Sequence, residues 1–226
     1  MARSDEEQLI QSLSADLAPV RRLPPPAYRA LVWLAAVCVI AVGLAAGTDV
    51  AATVRRITAA PDLSLAVAGS ALTAVLAAIA AFQLAVPDRR WTWALLPLPA
   101  AALWIGASGA GCLRSWLVPD TSVPSPGETE ACLIFIFGLS VPLSILLLAM
   151  LRRGFSLQPK LAAAVAGLAA AAAAATLLNF VHPFDAAATD LAVHAIAVGG
   201  VILANELFGG RILAAKNSAK NSSSAT

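Results

Sequence analysis

The chain has 226 residues, of which 59% are hydrophobic and only 12% charged, and its net charge is +2. Soluble domains carry about 25% charged residues, so an ordinary soluble domain is excluded. A charge this small, spread along the chain, also excludes a nucleic-acid-binding surface. The apolar residues gather into six stretches, at roughly 29–47, 63–86, 91–110, 131–151, 161–181 and 189–208. About 20 such residues, rising 1.5 Å each, cross a hydrocarbon core about 30 Å thick. Little length remains for a soluble catalytic domain, and function must reside in the spans, the short loops or the first 28 residues.

The chain opens on an acidic, polar segment, Met1 to Asp16, unlike the basic n-region and apolar h-region of a secretory signal. Ser4-Asp5-Glu6-Glu7 has the spacing of a capping box, and acids in a first turn suit the positive end of the helix dipole. Leu9, Ile10, Leu13 and Leu17 then recur on one side of a helix of about 14 residues. Pro19 ends it, and Pro24-Pro25-Pro26 makes a stiff extended spacer before the first span. So short a helix gains its stability only by burying its stripe. The membrane surface, helped by Arg21 and Arg22, the protein's own cytoplasmic loops and a partner groove all offer that. The opposite face carries Asp5, Glu6, Glu7, Gln8, Gln11 and Asp16, which anionic lipid repels, and this favours a protein partner in the helix-in-groove mode.

Basic residues orient the spans. With the N-terminus in the cytoplasm, twelve of the fifteen Lys and Arg residues fall inside, and only Arg55, Arg56 and Arg114 fall outside. Both termini are therefore expected to be cytoplasmic. Trp91, Trp93, Trp104 and Trp116 read as headgroup-level belt residues at span ends. The fifth span is almost entirely alanine from Ala162 to Ala175, and such small side chains let neighbouring helices approach closely, so it is expected at the centre of the bundle. Glu206, Asp190 and His194 fall near the ends of the sixth span, within snorkelling reach of the interface. The tail from Lys216 to Thr226 is Ser/Asn/Lys-rich and reads as disordered.

Three cysteines occur. Cys38, midway through the first span, reads as a small packing residue. Cys112 and Cys132 flank the loop between the third and fourth spans, close to the outer, oxidising face. The 19 residues between them permit the Cα approach of about 4.4–6.8 Å that a disulfide requires. Glu128, Glu130, His182, Asp185, Asp190 and His194 share that side, and thiolate, imidazole and carboxylate together suit zinc, copper or cadmium. No closely spaced ligand motif is present. Structural thiols, redox sensing and metal binding all fit the residues.

The run from Leu9 through Leu13, Asp16, Leu17 and Val20 to Arg21-Arg22-Leu23, followed by six spans, resembles the NrsF family of bacterial membrane-bound anti-sigma factors. The likeness continues through Leu84-Ala-Val-Pro87, Leu95-Leu-Pro-Leu98 with Trp104, Gly111-Cys-Leu113, Glu130-Ala-Cys132 and Leu151-Arg-Arg-Gly154. The resemblance implies a protein that holds an extracytoplasmic-function sigma factor inactive at the inner membrane until stress releases it. It implies that Leu9, Ile10, Leu13, Asp16, Leu17, Val20, Arg21 and Arg22 bind the sigma factor, with no direct nucleic-acid contact. It also links sensing of oxidants and heavy metals to periplasmic cysteines, of which Cys132 matches the more distinctive. A second cysteine that some members carry before a proline corresponds here to His182 before Pro183, so a bridge from the fourth span to the last loop cannot form. What remains is Cys132 alone, as sulfenate or mixed disulfide, a Cys112–Cys132 bridge, or Cys132 with His182 around a metal.

The expected architecture is all-α, a polytopic bundle of six transmembrane helices at 29–208. A sigma-binding segment at 1–28 precedes it and a cytoplasmic tail at 209–226 follows. The expected function is non-enzymatic, since there is no C-x-x-C, H-E-x-x-H or G-x-S-x-G motif, and no cofactor is implied beyond a metal ion as a stress signal. A small transporter or channel is the alternative. It wants inverted repeats, paired broken helices or midplane charge, none of which the sequence displays.

Overall fold

The structure, a computed structural model, describes residues 2–15, 22–117, 126–181 and 188–215. Within them the chain forms α1 (Ala2–Ala15), α2 (Pro26–Ala46), α3 (Val50–Ala59), α4 (Pro61–Leu84), a 3-10 turn (Trp91–Leu95), α5 (Leu98–Leu117), α6 (Pro126–Leu151), α7 (Pro159–Leu178) and α8 (Ala188–Ala204). α8 runs on through a π-helical stretch, Asn205–Gly209, to Ala215. No strand occurs among the described residues. Six helices are long and apolar enough to cross a membrane. Four of them, α2, α4, α6 and α7, begin on a proline, whose fixed φ suits the first helical position and whose missing N–H has no intrahelical acceptor there.

The six passes bring alternate connections together. One end of the bundle gathers the start of α2, the α4–α5 and α6–α7 connections and the end of α8. The other gathers α3, the end of α5 and the start of α6. Arg22, Arg29, Arg89, Arg90, Arg152, Arg153, Lys160 and Arg211 belong to the first, basic end; Arg55, Arg56 and Arg114 belong to the second. Between the ends the outward-facing residues are apolar, including Val39 and Val42 on α2, Ile105 on α5, Ile134 and Ile145 on α6, and Ile196 and Leu203 on α8. A perimeter of this kind suits hydrocarbon and would aggregate in water.

α7 is the centre of the bundle. In its apolar window 78% of residues are buried, against 17% in α2, and its alanines are enclosed by α4, α6 and α8. Two glycines let backbones approach closely. A Cβ built at Gly69 on α4 would lie 2.8 Å from the Trp104 backbone of α5, and one at Gly167 on α7 would lie 3.0 Å from the Ile202 Cα of α8.

The helix ends are closed by side chains from other elements. The last carbonyls of a helix have no intrahelical donor, and a cation there also complements the helix dipole. Arg29 of α2 donates to the Met150 carbonyl near the end of α6. Arg56 of α3 donates to the Asn179 carbonyl just past α7, at 2.7 Å. The Ser156 hydroxyl donates to the Leu84 carbonyl at the end of α4, at 2.9 Å. Mid-bundle, the Trp33 indole donates to the Leu143 carbonyl at 3.1 Å, next to Pro142, which sits inside α6 and removes one backbone donor from it.

Several expectations need correction. The loop after the first span contains α3, capped by Asp49, whose carboxylate accepts from the Ala52 N–H at 3.0 Å. The last helix continues past 208 to Ala215. α1 begins at Ala2, so Ser4 lies inside its first turn and is not the cap. Cys38 is exposed on the bundle's perimeter and does not fill the core. Trp104 packs mid-helix against the core instead of marking a span end.

The close α4–α5 contact gives a direct check. Gly69→Ala should destabilise the bundle by about 1–3 kcal/mol, the usual range for overpacking. Gly43→Ala, where a Cβ meets nothing within 4 Å, should leave it unchanged or slightly more stable. Thermal unfolding of both variants in the same detergent reads the difference.

Candidate functional site

α1 carries the sequence-derived stripe. At 3.6 residues per turn, Leu9, Ile10 and Leu13 fall within about 100° of arc, and they are 59%, 65% and 64% exposed. Every residue from Asp5 to Ala15 is exposed, so α1 stands off the bundle with its apolar stripe uncovered. Asp5, Glu6 and Glu7 are exposed on the same helix. Ser12 and Ser14 donate back to the Leu9 and Gln11 carbonyls and leave the stripe unobstructed. Arg22 is exposed and leads into Leu23-Pro24-Pro25, where α2 begins. Asp16, Leu17, Val20 and Arg21 lie outside the described residues.

The spacer meets the bundle at Arg29. This residue lies in the first turn of α2 and is only 6% exposed. Its guanidinium is held between the Met150 carbonyl and the Phe82 ring, 4.7 Å from the ring centroid. It thereby joins α2, α4 and α6 at the point where the N-terminal segment enters. Sequence reasoning counted Arg29 only as a topology marker. Its position one turn into an apolar span, behind three prolines, was the available signal for more.

At the opposite end, Cys132 lies nearly two turns inside α6, because that helix starts at Pro126 and not near 131. It is 2% exposed and packs with Ile136, Leu178 and Ala197. Cys112 belongs to α5, and its side chain lies outside the described set, as does His182. Among the described residues, no group of three His, Cys, Asp or Glu is arranged to hold a metal ion.

A polar seam lies between these two ends. Asn205, in the π-helical stretch of α8, donates to the Ser144 hydroxyl at 3.0 Å and to the Val201 carbonyl at 2.9 Å. Its own Oδ1 and the buried Ser140 hydroxyl, one turn away on α6, have no hydrogen-bond partner. Thr176 of α7 donates to the Ser70 hydroxyl of α4 at 2.9 Å. None of these residues was singled out in the sequence, where an isolated Ser, Thr or Asn in an apolar run carries no sign of its partner.

The family model described as negative regulator of sigma F, NrsF, matches residues 13–214. The chain belongs to the NrsF family. The match begins within α1 at Leu13 and ends at Ala214 in the last turn of α8, so it includes the spacer, all six long apolar helices and Cys132. No curated protein and no solved structure matches the chain. The NrsF assignment makes the protein a negative regulator of a sigma factor; Leu9 and Ile10 precede the matched residues.

Arg29→Leu should remove the clamp at the foot of α2. Losing a hydrogen bond to a charged group in a buried setting costs about 1.5–3 kcal/mol, and the melting temperature of the purified protein should fall accordingly. An unchanged melting temperature would show that the Met150 and Phe82 contacts add nothing.

Proposed function

We propose that this NrsF protein is a membrane-embedded anti-sigma factor whose helix α1 sequesters an extracytoplasmic-function sigma factor. The observation that carries this reading is the uncovered stripe Leu9, Ile10 and Leu13, on a helix whose described side chains, Asp5 to Ala15, are all exposed. Asp16, Leu17, Val20, Arg21 and Arg22 extend the proposed surface toward the spacer. A 14-residue helix without tertiary contacts is marginal in water, so a partner groove supplies the stabilisation that the bundle does not. Burying three aliphatic side chains contributes about 5–9 kcal/mol before the costs of association. The acidic residues beside the stripe suit a partner with a basic groove rim.

In this reading the bundle lies in the inner membrane with both termini cytoplasmic, as the distribution of basic residues favours. The protein performs no catalysis. Oxidative or heavy-metal stress is sensed at the periplasmic side through Cys132, with Cys112 or His182 as its partner. The burial of Cys132 adds a condition: its sulfur reacts only when the end of α6 opens, so the rate of sensing follows that opening and not direct collision with solvent.

Leu13→Asp should free the sigma factor, raising target-gene expression while the protein still inserts into the membrane. Placing a carboxylate in an apolar groove should weaken binding at least tenfold, equal to about 1.4 kcal/mol. Wild-type expression levels in this mutant would remove α1 from the interaction. Cys132→Ser should keep repression in unstressed cells and blunt induction by oxidants and metals. Normal induction in that strain would place the sensor elsewhere.

A further inference from the structure

A cavity of about 390 Å³ opens at the basic end, where the N-terminal spacer enters the bundle. It is lined by Leu23 and the three prolines of the spacer, by Arg29, by Ala85, Val86 and Pro87 after α4, and by Arg153, Gly154 and Phe155 after α6. Two arginines face one space, and among the described residues no acidic side chain lines it. Asp88 follows Pro87 but is exposed and outside the lining. Like charges sharing a partly enclosed site repel, and a bound anion relieves the repulsion. Arg29 is also preorganised for an anion: Phe82 and the Met150 carbonyl fix its side chain, while a guanidinium has five donors in all.

The remaining lining selects among anions. Apart from the two arginines, every described lining residue is apolar, proline or glycine, which gives no solvation to a free hydrated ion but fits a glycerol and the first methylenes of an acyl chain. The cavity lies at the end of the bundle where α2 begins and α6 ends, both of them helices with apolar outward faces. Trp91 is exposed nearby, and Arg89 stacks over Trp93, 5.8 Å from the ring centroid. Exposed indole and arginine side chains of this kind belong at headgroup level, and basic pockets between membrane helices take anionic headgroups. The volume lies within the usual range for small-ligand sites.

We propose that this cavity binds the phosphate headgroup of an anionic membrane phospholipid between Arg29 and Arg153. The lipid touches the spacer and the α6–α7 connection together, so it pins the root of the N-terminal segment to the bundle. The site requires nothing of the sigma factor and stands whether or not α1 binds one.

The test uses the full chain in a neutral detergent, titrated with phosphatidylglycerol, phosphatidylcholine or inorganic phosphate. Thermal unfolding reports stabilisation, and native mass spectrometry reports retained lipid. Phosphatidylglycerol should raise the melting temperature and be retained, whereas phosphatidylcholine and phosphate should do neither. Arg153→Gln should weaken phosphatidylglycerol binding about tenfold. Arg90→Gln, which removes the same charge from an exposed residue outside the lining, should bind as wild type does. Equal responses to the two lipids, equal stabilisation by inorganic phosphate, or equal losses in the two variants would each overturn the proposal. The lipid comparison on the wild-type protein decides the matter even if a variant fails to fold.

Discussion

The bundle depends on how closely helices can approach α7. In lipid there is little hydrophobic drive between helices, since acyl chains are as apolar as leucine, and association rests on van der Waals packing and interhelical hydrogen bonds. An alanine helix meets that demand with side chains too small to hold neighbours apart. α4, α6 and α8 all pack against it, and Gly167 allows α8 to reach its backbone where the π-helical stretch brings Asn205 inward. The extra residue in a π turn lets a helix change phase without breaking. Here the turn places Asn205 against Ser144, while Gly209 meets the Leu148 side chain and Ala163. Larger side chains on α7 would push out three neighbours at once, and the caps supplied by Arg29, Arg56 and Ser156 would no longer reach their carbonyls.

α6 is the element that joins the two ends. Its buried positions Cys132, Ile136, Ser140, Leu143, Ser144, Leu147 and Leu151 recur at helical spacing along one stripe. The stripe starts in the apolar cluster around Cys132, passes the Asn205 contact and finishes beside the Met150 carbonyl that holds Arg29. α6 therefore connects the cluster around Cys132 to the foot of α2, where the spacer leaves. The unpartnered Ser140 hydroxyl and Asn205 Oδ1 make the middle of this stripe its least satisfied part. An unmet polar group inside a bundle leaves an alternative packing closer in free energy than a fully paired core would.

The sequence revealed those parts of the molecule whose cause is local. Twenty-residue apolar runs announced the six long helices, alanine content announced the centre, and the spacing of Leu9, Ile10 and Leu13 announced an uncovered stripe. The family resemblance was legible because its motifs lie in order along the chain. What was missed depends on partners distant in sequence. Arg29 and Met150 are 121 residues apart, and Arg56 and Asn179 are 123 apart, so each looked like a lone charge. α3 is amphipathic, with two arginines, and fell below a search tuned to membrane spans. Cys132 does lie at the start of the fourth apolar span, Glu130–Leu151, but Glu128 and Glu130 read as loop, whereas α6 extends back through them to Pro126. The phase change at Asn205 has no signature beyond the small residues that permit it.

An anti-sigma factor of this design needs only a modest switch. In the proposed complex the stripe would contribute several kcal/mol gross, and the net affinity would be smaller because ordering α1 and its partner costs free energy. Each 1.4 kcal/mol lost changes occupancy tenfold in a dilute cell. In that proposed complex, withdrawing one leucine from the groove would be a change of that size, so the bundle would not have to hide the whole helix. From Arg22 through Pro25, four residues in extended form span only about 12 Å, and polyproline geometry resists folding back on itself. This stretch is therefore committed to the position and direction that the foot of α2 imposes. A flexible glycine-serine connection would absorb a small shift of Arg29, but the proline spacer passes it on to the chain that leads to the stripe.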